Sequence, residues 1–525
     1  MPKNSHEGEI IAGLLTDAEG AIAQGALAKA SAVYRGILTL DPDHVVALRQ
    51  LAALAIEFGD PRAAAELFRH AVAQDPRDPD LYHGVGTALR LLGQEAEALL
   101  AYEGALRADP RHAPALHDRA KLLETRGDLK GAAEFYKRLA DAHNSHFGAL
   151  FNRAVVLFHQ DNLLAAERWF HAAAQVDPKD PRPLINLAMI YRIWGYLPQA
   201  LGCLEHAVQL APDLPETQWN LANARLVTGD FVQGFAGYEW RFRRAEFTDR
   251  AFSPPRWQGE DLAGRTLLIT AEQGLGDAIH FVRFAAPLAA RGAKVIVEAP
   301  VGLDRLFATV PGVAGVTPWG HVPEGVDFVL PMLSAAHMLG TTLETLPART
   351  PYMSVPDGTK VPPIRGEGLK VGVVWRGNPM HDNDRHRSVP LTLLSPLADV
   401  PGISWYGLQT ENGLDEPKGT PFESRMTMLR PYLTDFAITA AAMEKLDLII
   451  SVDTASAHLA GALNKPVWTL LPQGNDWRWL HGRDDSPWYP SMRLFRQRHP
   501  RNWGPTVAEM TEALRTRAGS VTLPT

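Results

Sequence analysis

The sequence predicts an α-solenoid of helical repeats followed by an α/β region made of two Rossmann-like lobes. Prolines recur every 34 residues in the first half, which indicates a repeated structural unit. The second half alternates short apolar runs with helical segments, a pattern typical of parallel sheets. A chain of 525 residues is also too long for one hydrophobic core, so we expect several domains.

Composition and charge limit the classes of function. Apolar residues make up 46% of the chain and charged residues 21%, as in ordinary globular proteins. The formal net charge of −7 gives no indication of nucleic-acid binding. The single cysteine, Cys203, excludes an intramolecular disulfide and fits a reducing compartment. Because the N-terminal residues lack a signal-peptide pattern and no apolar run is long enough to cross a membrane, we expect a cytoplasmic protein without membrane insertion.

The repeats of the first half follow the tetratricopeptide pattern, in which each 34-residue unit is a helix–turn–helix. The prolines that set the period are Pro42, Pro76, Pro110, Pro178 and Pro212, and Asn144 stands where one is missing. Glycines recur at the turn between the two helices, at Gly25, Gly59, Gly93, Gly127, Gly195 and Gly229. Aromatic residues expected in the seam between repeats are Tyr34, Phe68, Tyr102, Tyr136 and Phe170. We therefore predict a tail over residues 1–10 and a solenoid over residues 11–246.

The sixth residue of each repeat is expected to face the concave groove of the solenoid. These residues are Gln50, Gly84, Asp118, Asn152, Asn186 and Asn220. Asparagine is a poor helix former, but its amide can both donate to and accept from a peptide backbone. The row resembles the asparagine ladder of the eukaryotic O-linked N-acetylglucosamine transferase, which implies that Asn152, Asn186 and Asn220 bind an acceptor polypeptide. The alternative is that these polar groups only face water.

Seven strands in two series are expected in the second half. They cover residues 266–270, 294–298 and 327–330 in the first series, and 369–375, 403–408, 447–452 and 467–471 in the second. We predict a linker over residues 247–264, a first lobe over 265–362 and a second lobe over 363–525. A terminal helix around residues 507–514 is expected to pack back near the first lobe.

Residues 447–472 form the clearest strand–helix–strand unit, and Asp453 and Thr454 stand where its helix begins. In doubly wound sheets, ligands bind beyond the carboxyl ends of the strands. The free N–H groups and the positive dipole end of a helix favour a diphosphate at such a turn. The alternative is an ordinary capped helix that binds no ligand.

Two motifs and one junction carry a resemblance to glycosyltransferases. Gly-Leu-Gly-Asp at residues 274–277 resembles the Gly-Asp motif of bacterial ADP-heptose lipopolysaccharide heptosyltransferases. Residues 451–460 resemble their second-lobe Asp-Thr-Gly-x-x-His motif, with Ala455 in place of glycine. The fusion of repeats to lobes through Tyr-Glu-Trp-Arg at residues 238–241 resembles bacterial repeat-fused glycosyltransferases, a group that includes enzymes modifying flagellin with nonulosonic acids. The resemblance implies the GT-B fold, in which two Rossmann-like lobes stand in tandem, and glycosyl transfer.

The motif match implies a catalytic base in the first lobe. A carboxylate can remove the proton of an acceptor hydroxyl, and the resemblance gives this role to Asp277. The alternative for Asp277 is that it caps its own helix, a contribution of about 0.3–1 kcal/mol. His280 is a reserve candidate on the same helix, and the alternative is a structural histidine. Gly274 and Gly276 would let sugar or backbone approach closely.

The second lobe is expected to hold the nucleotide-sugar donor. Arginine forks bind phosphate oxygens and stabilise charge on a leaving nucleotide. The residues predicted to bind the donor in this lobe are Arg376, Asn378, Arg385, Arg387, Gln409, Ser451, Asp453, Thr454, His458 and Arg478. Asp382-Asn383-Asp384 has the form of a metal-binding motif of the other glycosyltransferase fold, so we read it as loop chemistry and predict neither a metal nor a cofactor. The alternative for residues 375–388 is a solvated, charge-balanced loop.

The sequence thus predicts a metal-independent glycosyltransferase that moves a sugar from a nucleotide donor to Ser or Thr of a protein. The resemblance suggests flagellin as the acceptor and a nonulosonic acid such as pseudaminic acid as the sugar. One alternative is transfer to a glycolipid or polysaccharide, as in heptosyltransferases. The other is a repeat scaffold whose transferase lobes have no activity.

Overall fold

The computed structural model describes residues 5–143, 146–381 and 383–521, so Asn144 and Asp382 lie outside the described residues. The chain divides into two compact units, Met1–Leu187 and Ala188–Thr525. The boundary between these units falls within the helix Arg182–Trp194. In the described ranges, no helix has the length and apolar content that crossing a membrane would require.

Helix pairs of the tetratricopeptide type fill the N-terminal part of the chain, as the 34-residue period predicts. The helices are α1 (Ser5–Ala23), α2 (Leu27–Leu40), α3 (Val45–Glu57), α4 (Pro61–Gln74), α5 (Pro79–Leu91), α6 (Glu95–Ala108), α7 (Ala113–Thr125), α8 (Leu129–Ala142), α9 (Phe147–His159), α10 (Leu163–Val176), α11 (Arg182–Trp194), α12 (Leu197–Leu210), α13 (Pro215–Thr228) and α14 (Phe231–Tyr238). Helix α1 begins at Ser5, before the predicted start of the solenoid at residue 11. A short 3₁₀ turn, Glu239–Arg243, follows α14 directly.

Local sequence explains how each helix pair forms. In the second repeat, Gly59 adopts a left-handed φ of 77° just after α3 ends. Asp60 then caps α4, because its side chain accepts from the Ala63 N–H at 3.0 Å. The predicted aromatic seam is buried, and a side chain at Gly84 would overlap the ring of Phe68. Gly84, the sixth position of the third repeat, is therefore used for packing against the second repeat.

The first lobe is a parallel sheet with the strand order β3-β2-β1-β4. Its strands are β1 (Thr266–Thr270), β2 (Lys294–Ala299), β3 (Val313–Pro318) and β4 (Phe328–Pro331). Its helices are α15 (Leu275–Phe281), α16 (Ala285–Ala290), α17 (Asp304–Phe307) and α18 (Ala335–Met338), with 3₁₀ turns at Val282–Phe284 and Met332–Ser334. The 3₁₀ turn Val282–Phe284 separates α15 from α16, because Pro287 cannot donate a backbone hydrogen bond into the preceding turn.

The second lobe is a larger parallel sheet with the order β10-β9-β8-β5-β6-β7. Its strands are β5 (Leu369–Val374), β6 (Ile403–Gly407), β7 (Met426–Met428), β8 (Leu448–Val452), β9 (Val467–Leu471) and β10 (Met492–Arg496). Its helices are α19 (Asp384–Arg387), α20 (Ser395–Ala398), α21 (Phe436–Glu444), α22 (Ala455–Ala462) and α23 (Gly504–Val521), with 3₁₀ turns at Leu391–Leu394 and Trp477–Trp479. Both sheets reverse strand order once, between β1 and β4 and between β5 and β8. These two places are the switch points, where doubly wound sheets form a crevice.

Three strands, β3, β7 and β10, are absent from the predicted set. Each lies at an edge of its sheet, where one side has no neighbouring strand and the apolar signal is weaker. The prediction for the terminal helix is wrong: α23 packs on the second lobe, where Val507, Met510 and Leu514 join the core formed by β5 and β8. The predicted linker over 247–264 is packed as well, because Trp257 is buried and Arg250 forms a forked ion pair with Glu298.

Candidate functional site

The two switch points are brought together by the helices that follow β1 and β8. Helix α15 follows β1, helix α22 follows β8, and their N-terminal turns are in contact. A Cβ atom at Gly276 would lie 3.0 Å from Cδ2 of His458 and 3.6 Å from Cα of Ala455. Gly276 therefore permits this close approach, and the two motifs singled out in the sequence meet where the lobes meet.

Asp277 connects the two lobes and also caps its own helix. Its Oδ2 accepts from the Gly274 N–H at 2.9 Å, which is the capping alternative considered above. Its Oδ1 forms an ion pair with the Arg478 guanidinium from the second lobe. The side chain is half-buried, so the carboxylate lies at the lobe boundary with both oxygens engaged.

Arg478 links the two lobes through its ion pair with Asp277. This role differs from the phosphate contact that the sequence predicts. The residue is buried in the turn after β9, and its Nη1 donates to Oδ1 of Asp476 at 2.8 Å. Burial disfavours the charged form, but Asp476 and Asp277 outweigh it and raise the pKa of Arg478. The guanidinium already pairs with two carboxylates, so its charge is balanced within the protein.

His280 and His458 share one hydroxyl in the interior. The Tyr489 hydroxyl lies 3.0 Å from Nδ1 of His280 and 2.9 Å from Nδ1 of His458. Burial lowers the pKa of His280 well below its usual value and lowers that of His458 to about 3, so both rings are neutral near pH 7. His280 is 0% exposed and packs against Trp488, so its assignment as a reserve base is corrected to a packing role. His458, being neutral and largely buried, offers no positive charge to a phosphate.

The turn after β8 is the more open part of the site. Asp453 and Thr454 are half-buried, and among the described residues no side chain caps α22 at Thr454. Burial and the neighbouring Asp476 raise the pKa of Asp453. Arg387 donates to the backbone carbonyl of Asp453 at 2.9 Å, which ties the loop after β5 to this turn. Ser451, in contrast, is fully buried within β8 and cannot touch a donor in this arrangement.

The predicted donor ligands in the segments after β5 and β6 form hydrogen bonds and ion pairs within the protein. The Gln409 carbonyl oxygen accepts from the N–H groups of Trp375 and Arg376 at 3.2 and 3.1 Å. The Gln409 amide donates back to the Arg376 carbonyl at 3.2 Å, so Gln409 shapes the turn and its amide is not free to read a nucleotide base. The Arg376 side chain pairs with Glu416. Asn378 accepts from the Met380 N–H at 3.0 Å.

Arg385 and Arg387 of the same loop differ in exposure. Arg385 is exposed and its Nε lies 2.7 Å from Nε2 of His386. Arg387 is half-buried, and its Nε donates to Asp384 at 3.2 Å. Arg387 is the residue of this loop that donates to the backbone carbonyl in the half-buried turn at Asp453.

The three predicted acceptor asparagines make local contacts. Asn152 lies in the first unit, where its Nδ2 is 3.4 Å from Nε2 of His117. Asn186 donates to the Arg182 carbonyl one turn earlier in its own helix at 2.9 Å. Asn220, in the second unit, donates to the Glu216 carbonyl at 2.8 Å and to its side chain at 3.0 Å, and is only 6% exposed. These bonds use only part of the hydrogen-bonding capacity of each amide.

Two residues of the site had no role in the sequence-based prediction. Tyr238 and Arg241 belong to the Tyr-Glu-Trp-Arg junction, and they contact Gln273 and Glu272 in the turn that leads to Asp277. The motif was visible in the sequence, but the residues it contacts lie more than thirty positions away. In the described ranges, no group of three or more His, Cys, Asp or Glu side chains is arranged to hold a metal ion.

Fold and site together define a tetratricopeptide-repeat protein with a C-terminal region of parallel sheets. Family models described as tetratricopeptide repeat match residues 21–89 and 117–181. Repeats of this type stack into extended surfaces.

A curated relative extends the similarity beyond the repeats. Protein FlbA of Caulobacter vibrioides is 28% identical over 363 residues, which cover 62% of this chain and 60% of FlbA. The match therefore spans about 60% of the length of that relative.

Two solved structures are similar over part of the chain. YrrB, described as a tetratricopeptide protein with an unusual peptide-binding site, is 20% identical, with a TM-score of 0.32 and coverage of 35% of this chain and 95% of YrrB. PilF of Pseudomonas aeruginosa is 18% identical, with a TM-score of 0.36 and coverage of 41% of this chain and 97% of PilF.

Proposed function

We propose that the chain is a GT-B glycosyltransferase that moves a sugar from a nucleotide donor to a Ser or Thr hydroxyl of a protein held by the repeats. The observation that carries this proposal is the meeting of α15 and α22, the helices that follow β1 and β8 at the two switch points. This arrangement puts the carboxylate of Asp277 from one lobe beside the turn at Asp453 from the other, with Arg478 between them.

The donor is proposed to bind on the second lobe. The uncapped start of α22 has N–H groups suited to phosphate oxygens, and the half-buried turn at Asp453 leaves room for a ligand to approach. Arg387 already contacts this turn, and Arg376 lies at the end of the neighbouring strand. Both guanidiniums would turn toward the nucleotide phosphate, where they stabilise the negative charge that leaves with it.

The chemistry proposed for Asp277 is general-base catalysis. The acceptor oxygen attacks the anomeric carbon, the bond from that carbon to the phosphate oxygen breaks, and the hydroxyl proton passes to the carboxylate. The Asp277 carboxylate is paired with the Arg478 guanidinium in the absence of substrate. For proton transfer, the acceptor hydroxyl must take the place of one partner of Asp277. Flagellin as the acceptor and a nonulosonic acid as the sugar are part of this proposal on the strength of the sequence resemblance.

A second candidate, a non-catalytic scaffold, is favoured by one observation. Both oxygens of Asp277 are already engaged, by Gly274 and Arg478. If those bonds persist when a donor is bound, the lobes bind a nucleotide sugar without turnover.

The test uses a strain that lacks the chain, complemented with wild type or with Asp277→Asn. Asparagine keeps the helix cap and the size but cannot accept the proton, so glycan occupancy on flagellin should fall by roughly 10²-fold or more. Arg387→Met should weaken nucleoside-diphosphate binding, while Asp277→Asn should leave that binding unchanged. Mass spectrometry of flagellin and calorimetry of the purified chain measure the two effects. Full occupancy with Asp277→Asn would exclude the base, and sugar label in glycolipid would favour the heptosyltransferase-like alternative.

A further inference from the structure

The 3₁₀ turn at the end of the solenoid contacts the switch point of the first lobe. Arg241, in the 3₁₀ turn after α14, is 1% exposed and forms a forked pair with Glu272 through bonds of 3.0 and 2.9 Å. The same guanidinium donates to the Ser334 hydroxyl at 2.7 Å, just after β4. Glu272 also accepts from the Leu333 N–H at 3.0 Å. Arg241 thus joins the ends of β1 and β4, where a doubly wound sheet has its crevice.

Tyr238 holds the next residue of the same turn. The Gln273 amide donates to the Tyr238 hydroxyl at 3.2 Å, and that hydroxyl lies 3.4 Å from the Gln273 carbonyl oxygen. Gln273 has a φ of 60°, a conformation that is strained for a residue with a side chain and needs surrounding contacts to hold it. Gly274 follows directly and donates to Asp277, so Arg241 and Tyr238 fix consecutive residues ahead of that carboxylate.

The second partner of Asp277 rests on the same part of the solenoid. Helix α13 packs against the Trp477–Trp479 turn, which carries Arg478. Trp477 is in ring contact with Phe235 and Tyr238, with centroid distances of 5.4 and 6.4 Å. The turn that ends in Asp277 and the arginine that pairs with it are therefore both supported by α13 and α14.

Polar contacts connect Arg244, which follows the 3₁₀ turn, to Asn220, a residue predicted to face the acceptor groove. Asn220 on α13 bonds to Glu216, and the Glu216 carboxylate accepts from Nε of Arg244 at 3.0 Å. Arg244 follows the 3₁₀ turn that contains Arg241, and its guanidinium lies 4.1 Å from the centroid of the Trp219 ring.

We propose that the last helical hairpin, α13 with α14 and the 3₁₀ turn, positions the Asp277 carboxylate, and that Tyr238 and Arg241 are positioning residues. Its consequence for sugar transfer rests on the proposed function, whereas the positioning itself does not. The hairpin belongs to the second compact unit, Ala188–Thr525, and is a part of the site itself. The Tyr-Glu-Trp-Arg junction then fixes the conformation of the turn between β1 and α15.

The test compares the full chain with Tyr238→Phe and Arg241→Lys. Phenylalanine removes only the hydroxyl that holds Gln273, and lysine keeps the charge but cannot form the fork with Glu272. Matched controls are Tyr196→Phe, at an exposed tyrosine of the same unit, and Arg243→Lys, at an exposed arginine of the same 3₁₀ turn. Hydrogen–deuterium exchange is followed in residues 271–278, and flagellin glycan occupancy is measured in the complemented strain.

We expect exchange in residues 271–278 to become about tenfold faster in both variants and in neither control, while the strands of both sheets stay protected. A role in global stability alone would speed exchange throughout the unit. Glycan occupancy should fall by roughly tenfold in the same variants, because a small displacement of a catalytic group is costly. Unchanged exchange in residues 271–278 for Tyr238→Phe and Arg241→Lys overturns the positioning role. If wild type glycosylates no protein in the complemented strain but the variants still show faster local exchange, the positioning role is retained. The proposed function is then rejected.

Discussion

The two parallel sheets have the same kind of switch point but fill it differently. In the first lobe, the crevice between β1 and β4 is occupied by Arg241, whose guanidinium is bonded to Glu272 and Ser334. In the second lobe, the crevice between β5 and β8 is bordered by the half-buried turn at Asp453, with Arg387 beside it. The first crevice contains a piece of the solenoid, and the second contains no comparable insertion among the described residues.

This difference shows how one fold can serve two purposes in one chain. A switch point offers free N–H groups and space, which a ligand or a protein side chain can use. The first lobe uses its switch point to fix the solenoid, so its polar groups are satisfied within the protein. In the second lobe, the start of α22 at Thr454 has no side-chain cap among the described residues. Three measurements on the stability of the second unit test this difference.

The largest effect is expected for Arg241→Met. Removing the guanidinium leaves the buried carboxylate of Glu272 without its partner, which should lower the free energy of unfolding by about 3–5 kcal/mol. Chemical denaturation followed by tryptophan fluorescence is suitable, because Trp169 alone of the 13 tryptophans precedes residue 188. The control, Arg243→Met, removes an exposed arginine that stacks on Trp240 and should cost less than about 1 kcal/mol. Equal costs for the two variants would mean that the first crevice is not held by this network.

Acid should weaken the contact between the two switch points through His458. The folded state keeps this ring neutral down to a pKa of about 3, whereas the unfolded chain takes up a proton below about pH 6.5. Stability is therefore lost as the pH falls below 6.5, by about 2 kcal/mol at pH 5. Denaturation at pH 7 and pH 5 should show that His458→Asn loses this much acid sensitivity relative to wild type. Since the raised pKa of Asp453 acts in the opposite direction in both proteins, the difference between them isolates the histidine.

The smallest effect is expected where α15 meets α22. Valine at Gly276 would press on His458, whose Cδ2 would be only 3.0 Å from the new Cβ, and should cost about 1–2 kcal/mol more than the control. The control is Gly202→Val on α12, a helical glycine with open space around it, so both variants share the same change in helix propensity. Thermal unfolding of the two variants gives the comparison. Similar melting temperatures would show that the two helix N-termini can separate without cost.

Much of the fold could be read from the sequence because its signals are local. The repeat period, the turn glycines and the buried aromatic seam each depend on residues within one or two helices. The strands β1, β5, β8 and β9 are mostly apolar runs, whereas the edge strands β3, β7 and β10 carry a weaker signal.

The candidate site was predicted less completely, because residue type does not reveal which bonds a side chain has already made. Gln409 and Arg478 have the chemistry of ligands, but their polar groups are engaged within the protein. Ser451 and His280 stand in or next to recognisable motifs, yet both are fully buried. Asp277 and Asp453 lie at the starts of α15 and α22, which are in contact with each other.

The repeated helical array and the two sets of parallel strands could be predicted from the sequence, because periodicity and apolar runs act over short distances along the chain. Which side chains contact one another depends on the tertiary structure. Asp277 pairs with Arg478, and His280 contacts Tyr489, although the two residues of each pair are more than 200 positions apart. Such pairings arise when separate elements pack, and no local pattern encodes them. The contact of Arg241 with the first crevice is of the same kind, because it depends on how α14 meets the ends of β1 and β4.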